Sequence, residues 1–216
     1  ARKMGITTPL GNNLSLALGS SEVIPIEIVS AYGIFANQGI HAIPYAVTRV
    51  VDNNGNVLEE NFPREKEVLS SQVAYLMTYA LQQVCQSGTG WYTRYLGRPR
   101  GGKTGTTNEF TDAWFIGFVP NLVAGVWVGY DDNTTLGDKK AGGVVAAPIW
   151  TEFMKEVLEG KPAREFPVPS NIVFAKIDPR NGLLALESTP KAILVPFIRG
   201  TEPKEFSMES SLPLWK

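Results

Sequence analysis

One lysine stands among glycines and threonines in the stretch Gly101-Gly102-Lys103-Thr104-Gly105-Thr106-Thr107. Its ammonium can hold a carboxylate or a phosphate, and the hydroxyls of Thr104, Thr106 and Thr107 can donate to the same anion. Gly105 has no side chain, so a ligand backbone can approach closely there. Two secondary structures could present such a set. Gly97, four residues, then Gly102-Lys103-Thr104 fits a phosphate loop, which needs a buried strand before it and a helix directly after it. Thr-Gly-Thr-Thr is a poor first helical turn, because glycine and β-branched residues both disfavour it. The same residues suit a strand. Residues 113–119 and 122–130 are also strand-like, so the pattern predicts an antiparallel meander of three strands with Lys103 near the start of the first. A Walker-B-like strand at 126–131 gains nothing without the helix after Lys103.

Other elements must position that strand. Residues 25–38 predict a helix with Pro25 in its first turn, Ser20, Ser21 or Glu22 available for capping, Ile24, Ile28, Ala31 and Phe35 on one face, and Gly39 as its stop. Residues 42–51 and 56–60 predict an exposed hairpin around the turn Asp52-Asn53-Asn54-Gly55. Ser70 can cap a second helix running to about Gln86, with Val73, Leu76, Met77, Ala80, Leu81 and Val84 as its apolar stripe. Residues 87–101 read as a loop or short irregular segment in which Trp91, Tyr92 and Tyr95 pin the chain or, as the alternative, touch substrate. Arg94, Arg98 and Arg100 form a basic cluster, read as a solvated face or an attraction for an anionic substrate. Asp112 is expected to cap or pair locally. Residues 146–158 predict a closing helix packed through Ile149, Phe153, Met154 and Val157. Prolines 162, 167 and 169 mark a linker. Residues 172–177 and 183–186 read as a second hairpin about the turn 178–182, and the rest, through Trp215, as an extension lying on the domain.

Length and composition narrow the function classes. The chain has 216 residues and a formal charge of −1, enough for one ordinary core and without the basic balance that bulk nucleic-acid binding needs. A single cysteine, Cys85, allows no internal disulfide and reads as a small buried hydrophobe. His41 is the sole histidine, which argues against a metal cluster and against a Ser-His-Asp arrangement. No cofactor is expected. No run of eighteen apolar residues and no signal peptide is found. The opening Ala1-Arg2-Lys3 suggests the interior of a longer protein.

The strand motif and its surroundings resemble the class A, bifunctional penicillin-binding proteins. Lys103-Thr104-Gly105-Thr106-Thr107-Asn108 followed by Asp112-Ala113-Trp114-Phe115 resembles their third active-site motif. Leu18-Gly19 through Glu27, then Ala31-Tyr32-Gly33, Phe35-Ala36-Asn37 and Gly39, resemble the helix before that motif. Gly88-Thr89-Gly90, Trp127-Val128-Gly129-Tyr130-Asp131 and Gly200-Thr201-Glu202-Pro203 match further family segments in order. The resemblance implies an α/β (α+β) fold, an antiparallel sheet flanked by helices as in penicillin-binding proteins and serine β-lactamases, here incomplete. Residues 1–160 would be the C-terminal part of the transpeptidase domain and 161–216 a C-terminal extension.

In that family a serine attacks the carbonyl between two D-alanines of a peptidoglycan stem peptide, and an amine of a neighbouring stem then takes the acyl group; β-lactams acylate the same serine. By resemblance, Lys103 supplies positive potential near the nucleophile. Thr104, Gly105, Thr106 and Thr107 bind substrate, the hydroxyls of Thr104 and Thr106 holding its carboxylate. The backbone N–H of Thr106 makes half of the oxyanion hole. A side chain at Gly105 is expected to obstruct the substrate. The implied partners are stem peptides, β-lactams and a missing N-terminal part of the same protein. The implied location is the outer face of the bacterial cytoplasmic membrane, reached through an anchor this chain lacks. No Ser-x-x-Lys precedes Lys103 and no Ser-x-Asn occurs anywhere. The one Ser-x-x-Lys string, Ser188 to Lys191, comes after the strand, and its Pro190 disfavours the required helical turn. The chain alone is therefore expected to be catalytically inactive. The alternatives are a non-catalytic sensor or scaffold module of the same type, or a β-lactamase.

Overall fold

The computed structural model describes residues 1–208, in two compact units, one spanning Ala1–Pro167 and one beginning at Val168. In the first unit Pro25 opens helix α1 (Pro25–Ala36), where its fixed φ suits the first turn. No side chain caps this helix, contrary to expectation: Ile24 occupies the cap position, while Ser21 accepts from the backbone N–H of Gly11. The helix start is instead tied down through Glu27, whose carboxylate accepts from both Thr7 and Thr8. Hydrogen bonds from Thr7 hold that carboxyl below its ordinary pKa. Gly39, at φ 97°, stops the helix by returning its N–H to the carbonyl of Ile34, a left-handed turn that a Cβ would strain.

Strand β1 (Ile40–Ala42) follows. The expected hairpin forms from β2 (Arg49–Val51) and β3 (Val57–Glu60) and is exposed. A pairing not foreseen joins β1 to β4 (Glu65–Glu67). Helix α2 (Ser71–Gln86) has Ser70 as its cap, the hydroxyl accepting from the N–H of Val73. Its buried stripe is Ala74, Thr78, Leu81 and Cys85, rotated from the predicted one; Val73, Met77 and Ala80 are exposed. Of the predicted stripe Leu81 is buried, and Thr78 was not among the residues expected there. Its hydroxyl donates to the Phe35 carbonyl, so it can be buried between α1 and α2.

The central sheet has the predicted topology: β5 (Gly101–Thr106), β6 (Asp112–Val119) and β7 (Leu122–Gly129), antiparallel in that order. Helices cover both faces. On one, Leu81 of α2 packs with Phe118 and Phe166, and Val29 of α1 lies against Gly125. On the other lies α3 (Ala146–Val157). Of the expected contacts of α3, Met154 is fully buried as predicted, but Ile149 and Phe153 are exposed and Trp150 and Thr151 are buried instead. Trp150 meets Phe115 edge to face with ring centroids 5.1 Å apart. Phe166 is buried against Phe118 at 5.6 Å, so residues 161–167 belong with this unit.

In the second unit β8 (Ile172–Ile177) pairs with β9 (Ile193–Ile198), not with residues 183–186 as predicted. Leu184 makes only single bridges, to Ile177 and Phe206. The turn 178–182 supplied a convincing hairpin signal, yet Asp178 at its head is buried and organises side chains instead. Arg180 makes a two-pronged contact to it, and Ser207 donates to it at 2.7 Å. Trp215 and the rest of the expected C-terminal stretch from 209 lie outside the described residues. No helix of the described residues is long and apolar enough to cross a membrane.

Candidate active site

β5 lies at an edge of its sheet among the described residues, with β6 on its only paired side. Side chains alternate along it. A Cβ built on Gly101 would meet the Phe118 ring at 2.7 Å, and one on Gly102 the Phe115 ring at 2.6 Å. Both glycines are therefore needed where the strand passes under the core aromatics. Lys103 shares the face of Gly101 and Gly105; Thr104 and Thr106 share the face of Gly102. Lys103 is exposed, and its ammonium donates to the Thr104 carbonyl at 2.9 Å.

Main-chain polarity also alternates in an antiparallel ladder. The N–H of Thr107 donates to the carbonyl of Asp112 across the pair. By alternation the N–H groups of Gly105 and Lys103 point inward to β6, and those of Thr104 and Thr106 point to the open edge. An N–H of Thr106 directed outward is what an oxyanion donor requires.

The threonine hydroxyls are held from three sides. Thr104 Oγ1 lies 2.7 Å from Thr89 Oγ1, and Thr106 Oγ1 accepts from the N–H of Gly142 at 3.0 Å. Thr107, grouped with them from the sequence, is engaged in the β5–β6 turn: its hydroxyl pairs with Thr111 at 2.7 Å and accepts from the N–H of Asp112 at 2.8 Å. Gly105 faces Trp114 on β6, and a Cβ there would sit 3.0 Å from Trp114 Cβ. The first obstacle to a side chain at 105 is thus the neighbouring strand. Asp112 pairs locally as expected, accepting from the Trp127 indole at 2.8 Å and from Thr111. From the sequence Thr89 stands only within the family segment Gly88-Thr89-Gly90, with no role, and Gly142 is not singled out. They lie 15 and 36 residues from their partners, and no local spacing signals such contacts.

The basic cluster does not form a shared anion site. Arg98 donates to the carbonyls of Leu158 and Lys161 beyond the end of α3, a favourable place for a cation. Arg100 donates to Thr93, to the Arg98 carbonyl and to the Cys85 carbonyl. Burial lowers its pKa, and burial raises that of the Cys85 thiol. Arg94 stacks 4.8 Å over Trp91, which with Tyr92 and Tyr95 forms a ring cluster on the 3-10 helix Trp91–Leu96. Ser188 and Lys191 lie in a turn, not on a helix. No group of three or more potential metal-ligating side chains occurs among the described residues.

Comparison with known proteins decides the family. Residues 5–155 match the penicillin binding protein transpeptidase domain, and residues 168–211 the C-terminal domain of penicillin-binding protein 1A. The chain belongs to the penicillin-binding protein transpeptidase family. It is 42% identical over 189 residues to penicillin-binding protein 1A of Aquifex aeolicus, covering 88% of this chain and 26% of that protein. With penicillin-binding protein 1A of Pseudomonas aeruginosa the identity is 34% over 85% of this chain and 28% of the relative. The crystal structure of penicillin-binding protein 1A from Haemophilus influenzae superposes with a TM-score of 0.87 at 31% identity, over 96% of this chain and 37% of that one. The mixed fold of helices on an antiparallel sheet is that of the penicillin-binding transpeptidases. The chain spans little more than a quarter of the length of these two curated relatives.

Proposed function

We propose that this chain supplies the substrate-binding strand of a serine D,D-transpeptidase that cross-links peptidoglycan stem peptides and is inhibited by β-lactams. The open edge of β5, with two anchored hydroxyls, one ammonium and an outward N–H, carries this reading. A donor peptide lies along the edge as an added strand. Thr104 and Thr106 donate to its terminal carboxylate, and Lys103 supplies positive potential beside the scissile carbonyl. The serine Oγ attacks that carbonyl carbon, the oxyanion is held by the N–H of Thr106 and by that of the serine itself, and the C–N bond breaks as terminal D-alanine leaves with a proton. An amine of a second stem peptide then displaces the serine. Thr107 serves by closing the turn that fixes the end of β5.

The nucleophile belongs to a part of the protein N-terminal to this sequence, because neither Ser-x-x-Lys nor Ser-x-Asn precedes Lys103. The chain by itself is inactive, and any glycosyltransferase activity resides elsewhere in the parent polypeptide. Its working location is the outer face of the bacterial cytoplasmic membrane. Residues 1–160 make up the C-terminal part of the catalytic domain, and 161–216 the extension, whose first residues, 161–167, pack back on that domain through Phe166.

Fluorescent penicillin tests this reading. After incubation, denaturation and separation by mass, label is expected on a polypeptide carrying the serine motifs and none on this chain alone. Covalent label on the isolated chain would overturn the predicted inactivity. Both serine motifs present with no label anywhere would favour a sensor or scaffold.

A further inference from the structure

We propose that Thr89 and the Gly142 N–H are positioning groups that aim the hydroxyl protons of Thr104 and Thr106 at the substrate carboxylate. This rests on the transpeptidase reading above and assigns a task to two positions outside the Lys-Thr-Gly strand. A threonine hydroxyl has one proton and two acceptor sites. Thr106 Oγ1 already accepts from the Gly142 N–H at 3.0 Å, so its proton is left for another acceptor. Thr104 and Thr89 share one proton between their oxygens at 2.7 Å, with either able to donate. A carboxylate has no proton to give, so its arrival requires Thr104 to donate outward. Thr89 must then donate to Thr104, and the bond between them survives with its direction fixed.

The packing shows that this contact is built in. A Cβ on Gly142 would strike the carbonyl oxygens of Trp114 and Gly105, and one on Gly143 would strike the carbonyl of Thr89. The Gly142-Gly143 pair thus lets one loop press on β5 and on the turn carrying Thr89 together. Without Thr89 the Thr104 hydroxyl loses its partner, and a carboxylate must order it at the moment of binding.

The test compares acylation of the full-length protein by benzylpenicillin and by its methyl ester, which lacks the carboxylate charge. Thr89→Val is expected to slow acylation by benzylpenicillin about ten-fold, the scale of one hydrogen bond to a charged group. The ester reaction should change less than about two-fold, and Thr89→Ser should restore the benzylpenicillin rate. Equal loss with both compounds would reduce Thr89 to a structural contact and overturn the assignment. No loss with benzylpenicillin would overturn it as well. A wild type acylated by neither compound overturns the transpeptidase reading and this assignment with it, an outcome visible before any variant is made.

Discussion

Trp150 donates its indole N–H to the carbonyl oxygen of Ala124 at 3.1 Å, joining α3 to β7 through the core. The ring also fills the space beside Gly117, where a Cβ would come within 2.8 Å of it. Trp150→Ala should cost about 3–5 kcal/mol of stability, the range for deleting a large buried ring. Trp150→Phe keeps much of the packing but removes one of the donors to the Ala124 carbonyl, which still pairs with β6 opposite Gly117, and should cost about 0.5–1.5 kcal/mol. Urea unfolding of the two variants measures both; a phenylalanine variant as stable as the wild type would show that the hydrogen bond contributes nothing beyond the ring.

Ser70 caps the start of α2, its hydroxyl accepting from the N–H of Val73 at 3.3 Å. Ser70→Ala should lower stability by about 1 kcal/mol, and Ser70→Asp should leave it nearly unchanged. The same urea midpoint decides this, and an unaffected alanine variant would mean that the helix start is held by packing alone.

The elements legible in the sequence were those whose signals are local. Ser70, Pro25 and Gly39 marked helix boundaries, Gly55 sat in a real turn, and the strand-like runs from Lys103 to Tyr130 were clear enough to predict the meander. What failed depended on partners far along the chain. Thr78 is buried because the Phe35 carbonyl, 43 residues away, accepts its proton. Trp150 displaced Ile149 and Phe153 from the core because Ala124 offered its indole an acceptor. Residues 183–186 lost their pairing to β9, since β8 found a longer antiparallel partner. At the site, Lys103 and the threonines were recognisable by type and spacing. Of their anchors, Thr89 stood in a matching family segment that gave it no role, and Gly142 had no such mark.

Thr106 contributes by two separable routes in the proposed mechanism. Thr106→Ala removes the hydroxyl and keeps the outward N–H. Acylation by benzylpenicillin should fall about ten- to hundred-fold, as expected for one lost hydrogen bond to a carboxylate, with the methyl ester less affected. Thr106→Ser should recover most of the rate. A loss equal for both compounds would place the hydroxyl's effect on the carbonyl end of the substrate.

Gly142 has no room for a side chain, since the atoms its Cβ would strike are backbone oxygens that cannot swing aside. Gly142→Ala should push the loop off β5 and cost about 1–3 kcal/mol, the usual scale for forcing a methyl into a packed site. It should also withdraw the N–H from Thr106. A variant as stable as the wild type by urea unfolding would show that the loop rests only loosely on the strand.

Asp178 should make the second unit sensitive to acid. The Arg180 guanidinium, and after it the Ser207 hydroxyl, hold this carboxyl well below the usual carboxylate range. A group depressed in the folded state stabilises fully above its unfolded pKa, near 3.9 for aspartate, and that contribution is lost as pH falls toward the folded value. Hydrogen exchange across β8 and β9 should therefore be unchanged from pH 7 to about pH 5 once corrected for intrinsic rates, and should lose protection below about pH 4. Asp178→Asn removes the titrating group while keeping a similar shape. It should lower protection at neutral pH and flatten the acid dependence. A wild type and variant that lose protection in parallel as pH falls would assign the acid sensitivity to other carboxylates.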